Sequence, residues 1–171
     1  MSLFFKSVLA ILLAFPAVAD EAAWEVLEQP GAFVLMRHAP TPDTADPAEV
    51  RIGDCSTQRN LNETGREQAR RIGRAFRKRG IAFDAVFTSQ WCRCRETGEL
   101  LGLGLASVSQ TATTKKFLSD NLPRNRLLLV THQFNISALT DAYTRSGEIL
   151  VLPRFPDGML RPIGSIHIPH E

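Results

Sequence analysis

Aromatic residues and cysteines are scarce in this chain. Aromatics make up 8% of its 171 residues, with one tyrosine and two tryptophans, and there are three cysteines. An odd cysteine count allows at most one internal disulfide and leaves one thiol over. No group of cysteines and histidines has zinc-ligand spacing, so no metal is expected. Charge of one sign is also lacking: 20 Lys and Arg stand against 18 Asp and Glu, a net charge of +2, which by itself is neutral on nucleic acid. The absence of a dense basic block interleaved with aromatics argues against such a partner. Arg70, Arg71, Arg74, Arg77, Lys78 and Arg79 read as the solvated face of one helix. A Gly-rich phosphate loop and a dinucleotide fingerprint are missing, so no cofactor is expected. There is no internal repeat or low-complexity tract, and beyond the N-terminus no apolar run is long enough to span a bilayer.

The N-terminus reads as a targeting segment. Lys6 precedes an apolar core at residues 8–15, too short to cross a bilayer, and Ala17-Val18-Ala19 has the small-x-small pattern of a signal-peptidase site. Residues 1–19 are then the signal peptide and residues 20–171 a single mature domain, periplasmic or secreted, with no stable membrane insertion. An uncleaved anchor is the competing reading. Export would place Cys55, Cys92 and Cys94 in an oxidising compartment. Positions two apart on a helix face different ways, so Cys92 and Cys94 are not expected to pair. Cys55 with Cys92 is the preferred bridge, with Cys94 buried as a small apolar residue.

Along the chain, residues 20–31 read as a leader into the first strand. Strands are expected at residues 32–37, 85–87, 126–131 and 149–152, with a last edge strand at 163–168. Asn62 is a good N-cap for a helix over residues 63–79, whose buried face is Ala69, Ile72, Gly73 and Phe76 and whose stop is Gly80. Further helices are expected at residues 90–101, 113–121 and 133–143. Residues 105–112 carry little pattern, and 39–60 and 153–163 read as loops. The long loop at 39–60 directly follows His38 and is expected to wall the site. Strand–helix alternation gives an α/β fold: three layers, with a mostly parallel sheet flanked by helices.

Two apolar runs end in histidine, Phe33 to His38 and Leu127 to His132. Such runs read as strands buried on both faces, and ligands gather at the carboxyl ends of those strands. Two imidazoles there could share one site, and Arg37 suggests an anion between them. At Leu35-Met36-Arg37-His38-Ala39 the chain resembles the histidine phosphatase superfamily, with its phosphoglycerate mutase-like fold. Ser89-Gln90-Trp91-Cys92-Arg93-Cys94-Arg95-Glu96-Thr97 resembles its second signature, with Arg93 as the family arginine. Leu61 to Ala69 resembles the opening of its first long helix, and Val130-Thr131-His132 its third signature. The motifs stand in the family's order over residues 33–140. The narrower likeness is to exported bacterial members, including the lipopolysaccharide core heptose phosphate phosphatases.

The chemistry fits those residues. Arg37 and Arg93 would neutralise a phosphate ester with forked guanidinium groups, and His132 would add a hydrogen bond. The helix after His132 offers free backbone N–H groups. The resemblance implies that His38 is the nucleophile of a metal-independent phosphatase and that a phosphohistidine forms. One ring nitrogen attacks while the other is held protonated by a backbone carbonyl. The substrate is then a phosphorylated small molecule or glycan. Thr41 and Gln133 are candidate substrate-binding residues, and Arg95 is expected to face solvent or pair with Glu99.

The chain departs from the family at Ala39, where Gly is usual; a methyl is harmful there only if φ is positive. Gln133 stands where some members carry an Asp acid. Asp54, Asp120 and Glu148 are the other acid candidates, and none stands out. Without an acid, good leaving groups are favoured. The stretch from Arg93 to His132 is short for the family, which would open one wall of the site. Two alternatives are a catalytically weak phosphate-binding module and a mutase.

Overall fold

The computed structural model describes residues 18–104, 107–109, 126–152 and 160–169. Six strands form one sheet: β1 (Phe33–Arg37), β2 (Ala85–Ser89), β3 (Ser107–Ser109), β4 (Leu127–Thr131), β5 (Ile149–Leu152) and β6 (Gly164–Ile166). Their order is β3-β2-β4-β1-β5-β6. The first four in that order are mutually parallel, and β5 runs antiparallel to both its neighbours. Four helices accompany them: α1 (Val18–Glu28), α2 (Glu63–Lys78), α3 (Cys92–Leu101) and α4 (Gln133–Thr140).

The central strands are apolar at nearly every position because both sheet faces are covered. Val34, Met36, Val86, Leu128 and Val130 pack with Trp24, Leu27, Ile72, Phe76 and Leu101 of α1, α2 and α3. The alternate residues Phe33, Leu35, Leu127 and Leu129 pack with Ile136 and Leu139 of α4. The layers are therefore helices, sheet and helix. Asn62 caps α2 as expected, its side chain accepting from the Gly65 N–H at 2.8 Å. Gly73 lets α2 lie against α3: a Cβ there would sit 1.9 Å from the Leu101 carbonyl oxygen. The structure joins Cys55 to Cys92, with Cα atoms 5.7 Å apart, and buries Cys94 as a free thiol.

Two stretches differ from the sequence reading. Residues 20–31 do not form an irregular leader; most of them belong to α1. Its described buried residues are Ala23, Trp24 and Leu27, with Val26 half-buried beside them, too short a stripe to stand out as a period. Tertiary contacts hold it: Trp24 meets Phe76 edge-on at 5.4 Å, and Arg79 pairs with both carboxylate oxygens of Glu21. Within residues 105–112, β3 pairs with β2 in parallel. The expected helix at 113–121 and most of the 153–163 loop lie outside the described residues. No helix among the described residues is long and apolar enough to cross a membrane.

Candidate active site

β1 and β4 are parallel neighbours with Arg37 opposite Thr131, so the next residue of each chain leaves the sheet at the same end. Those residues are His38 and His132. Their rings lie 5.4 Å apart between centroids, inclined at 66°. The His38 N–H donates to the Thr131 carbonyl at 2.9 Å, which fixes the pair. They open on a cleft of about 380 Å³, also lined by Arg37, Arg59, Arg93, Trp91 and the first turn of α4.

The His38 tautomer follows from its partner. Nδ1 lies 2.8 Å from the Ala39 carbonyl oxygen, which can only accept, so Nδ1 carries the proton and Nε2 the lone pair. Burial pushes its pKa down to about 3 against the opposing carbonyl, and His132, Arg93 and Arg37 lower it further. The ring is neutral at pH 7. Ala39 has no positive φ, since Asp141 is the one described non-glycine residue that does, and its methyl is accommodated in the interior. The Ala39 N–H donates to Thr97 Oγ1 at 3.1 Å, and that hydroxyl donates to the Arg93 carbonyl at 2.7 Å. The nucleophile's loop is thus tied to the helix that carries Arg93.

His132 Nδ1 makes a long contact, 3.5 Å, with Arg93 Nη2, and Nε2 lies 3.1 Å from Ser89 Oγ. A guanidinium has no acceptor, so Nδ1 accepts and Nε2–H donates to Ser89. Burial pushes this pKa down to about 4; Arg93 lowers it further and Asp46 opposes. Arg93 is buried, lies 4.5 Å over the Trp91 ring and pairs with Asp46 at 3.0 Å. Arg37 donates to the Thr144 carbonyl at 2.8 Å. Arg59 donates to Thr41 Oγ1 at 2.6 Å and to the Asp43 carbonyl. In all three arginines Nε is buried and has no partner among the described residues.

The structure therefore brings Arg37, His38, Arg93 and His132 together as the sequence suggests. Thr41 does not line the cleft; its hydroxyl holds Arg59 instead. Gln133 lines it, but its amide is occupied. Nε2 donates to Ser137 Oγ and the Ala142 carbonyl, and Oε1 accepts from Thr144 N–H and Oγ1. Its side chain steadies the Thr144 segment that in turn holds Arg37. Arg95 is exposed. Among the acid candidates, Asp54 caps the short helix Cys55–Thr57 and Glu148 accepts from the Arg145 N–H. Asp120 lies outside the described residues.

Sequence reasoning missed Arg59 and Asp46. Asp46 accepts from Arg93 and, at 3.1 Å, from the Arg59 backbone N–H. The one local signal for Arg59 is its place two residues before Leu61, whose side chain is buried. Among the described residues, no three His, Cys, Asp or Glu side chains cluster as a metal site.

Residues 33–116 match the family described as the histidine phosphatase superfamily (branch 1). Over 42 residues the chain is 48% identical to the broad-specificity phosphatase YOR283W of Saccharomyces cerevisiae. That match covers 25% of this chain and only 18% of the yeast protein's length. The fold is similar to that of an Agrobacterium tumefaciens protein assigned as the phosphohistidine phosphatase SixA, at 21% identity and TM-score 0.57, covering 82% of this chain and 99% of that one. It is also similar to the mycobacterial glucosyl-3-phosphoglycerate phosphatase Rv2419c, at 15% identity and TM-score 0.56, covering 76% and 94%.

Proposed function

This chain belongs to the histidine phosphatase superfamily, and from that premise we propose that it is an exported phosphatase hydrolysing phosphate monoesters through a phosphohistidine on His38. The observation that carries this reading is a neutral imidazole with a free Nε2 lone pair, facing a cleft lined by three guanidinium groups. Arg37, Arg59 and Arg93 bind the phosphoryl oxygens and neutralise the charge that repels a nucleophile. Nε2 then attacks phosphorus: the N–P bond forms as the P–O bond to the leaving group breaks, and the leaving oxygen takes its electron pair and a proton from solvent water. Water attacks next, the N–P bond breaks with its pair returning to Nε2, and inorganic phosphate departs. Near a phosphate dianion His132 gains affinity for a proton, which makes it a second donor. The substrate class is a phosphorylated small molecule or glycan, with a heptose phosphate of a lipopolysaccharide core as the finer reading.

Export is supported by two observations. The α1 residues described as buried, Ala23, Trp24 and Leu27, follow the Ala19 cleavage site, so cleavage leaves their packing in place. The Cys55–Cys92 bridge suits an oxidising compartment.

A phosphate-binding module is the second reading, favoured because no carboxyl group among the described residues lines the cleft. One assay separates the two: hydrolysis of an activated aryl phosphate by the mature form from Asp20, in EDTA, beside His38→Ala. EDTA-resistant turnover that falls at least about 1,000-fold in the variant, with phosphate binding kept, is the expected result. A folded wild type that binds phosphate without turnover would establish the binding module.

A further inference from the structure

The loop between β1 and α2 supplies Arg59 to the cleft and Asp46 to Arg93, yet almost nothing apolar holds it down. Between Pro40 and Asn60 the one buried residue is Gln58. Beyond the Ala39 N–H bond to Thr97 at its start, three ties connect this loop to α3. Gln58 Oε1 accepts from the Cys92 N–H at 2.9 Å, Asp46 pairs with Arg93 at 3.0 Å, and Cys55 is bonded to Cys92. Two of these are polar contacts that water can replace; the third is covalent. It anchors at the residue directly before Arg93, while its other end, Cys55, is exposed. A reductant therefore has access to a bond that sets the spacing between two phosphate-facing arginines.

We propose that the Cys55–Cys92 disulfide positions the phosphate site, holding Arg59 and Asp46 against α3 so that tight phosphoryl binding is gained on oxidation. This rests on the phosphate-cleft reading above. The chemistry is a thiol–disulfide exchange. Cys55 and Cys92 together lose two electrons and two protons to a disulfide-bearing oxidant, which becomes a dithiol, and a dithiol reductant reverses it. A precursor in a reducing compartment would hold the site slack, and oxidation after export would set it.

The test uses the mature chain in three states: oxidised, reduced with a dithiol, and as the Cys55→Ser/Cys92→Ser variant. Each is made with Arg59 present and with Arg59→Ala. The readouts are the Kd for inorganic phosphate by calorimetry, kcat and KM for an aryl phosphate, and a far-UV spectrum to confirm folding. Reduction and the double serine variant should each raise Kd and KM about tenfold, the loss of one charge-assisted contact, with kcat nearly unchanged. In the Arg59→Ala background the same treatments should change Kd less than about twofold, because the group they displace is gone. Equal Kd in oxidised and reduced folded protein would overturn the proposal. So would an undiminished loss in the Arg59→Ala background, which would mean general loosening. Phosphate binding without turnover would sink the phosphatase reading alone, because the Kd comparison still decides the role of the disulfide.

Discussion

At His38 two influences of opposite sign meet. The Ala39 carbonyl favours a protonated ring, while burial and the cations Arg37 and Arg93 disfavour it; burial is the largest cause, and the pKa falls to about 3. His132 falls to about 4 for the same leading reason. Both rings should therefore stay neutral from pH 8 down to pH 5. Imidazole nitrogen shifts, assigned with His38→Gln and His132→Gln, should show no midpoint in that range; a midpoint near 6.5 in either ring would refute the electrostatic account. Added phosphate should move the His132 midpoint upward. Arg37, His38, Arg93 and His132 were legible in the sequence because each sits at a strand end or on the helix that follows a strand. Arg59 and Asp46 were not: Asp46 meets Arg93 47 residues away and Arg59 meets Thr41 18 residues away, partners that no local pattern announces.

At the scale of elements, α2 and α3 matter most, because α3 carries Arg93 and α2 sets where α3 lies. The contact between them is backbone against glycine: a Cβ on Gly73 would sit 1.9 Å from the Leu101 carbonyl oxygen. Gly73→Ala must push α3 outward, so it should cost about 1–3 kcal/mol and also weaken phosphate binding. Gly80→Ala is the control. Gly80 has φ +67° and open space around its Cβ position, so it should cost about 1 kcal/mol of backbone strain and leave phosphate affinity unchanged. Urea melts and phosphate titrations of both variants check this; equal affinities would show that α3 is not placed by that contact. The α2 boundaries were legible because cap, stripe and stop agree with one another. Two other elements were not. α1 has a short buried stripe and relies on Phe76 of α2 and on Arg79, the C-cap of that helix. β3 is made by pairing with β2 at the sheet edge, so its backbone partner defines it where the side-chain pattern does not.

For the whole molecule, a buried and a half-buried neutral histidine link stability to pH. In the unfolded chain each has a pKa near 6.5, and in the folded chain about 3 for His38 and about 4 for His132. Between those values the unfolded state binds protons that the folded state does not, so stability falls as pH drops below 6.5. The slope should reach about 1.4 kcal/mol per pH unit for each ring, with His132 contributing less because it is partly open to solvent. Carboxylates whose pKa values are lowered, such as Glu67, add their losses only below their ordinary value of 4.5. The interval from pH 6.5 to 5 therefore reports chiefly on the histidines. His38→Gln should flatten the stability curve across that interval by about the slope of one ring. Phosphate at 100 times its Kd should raise stability by about 2.7 kcal/mol, since only the folded cleft binds it. Urea melts at pH 5.0, 5.5, 6.0, 6.5 and 7.5 check both effects. Parallel curves for wild type and His38→Gln would mean that His38 titrates alike in the folded and unfolded chains, which would refute the burial account of its neutral ring.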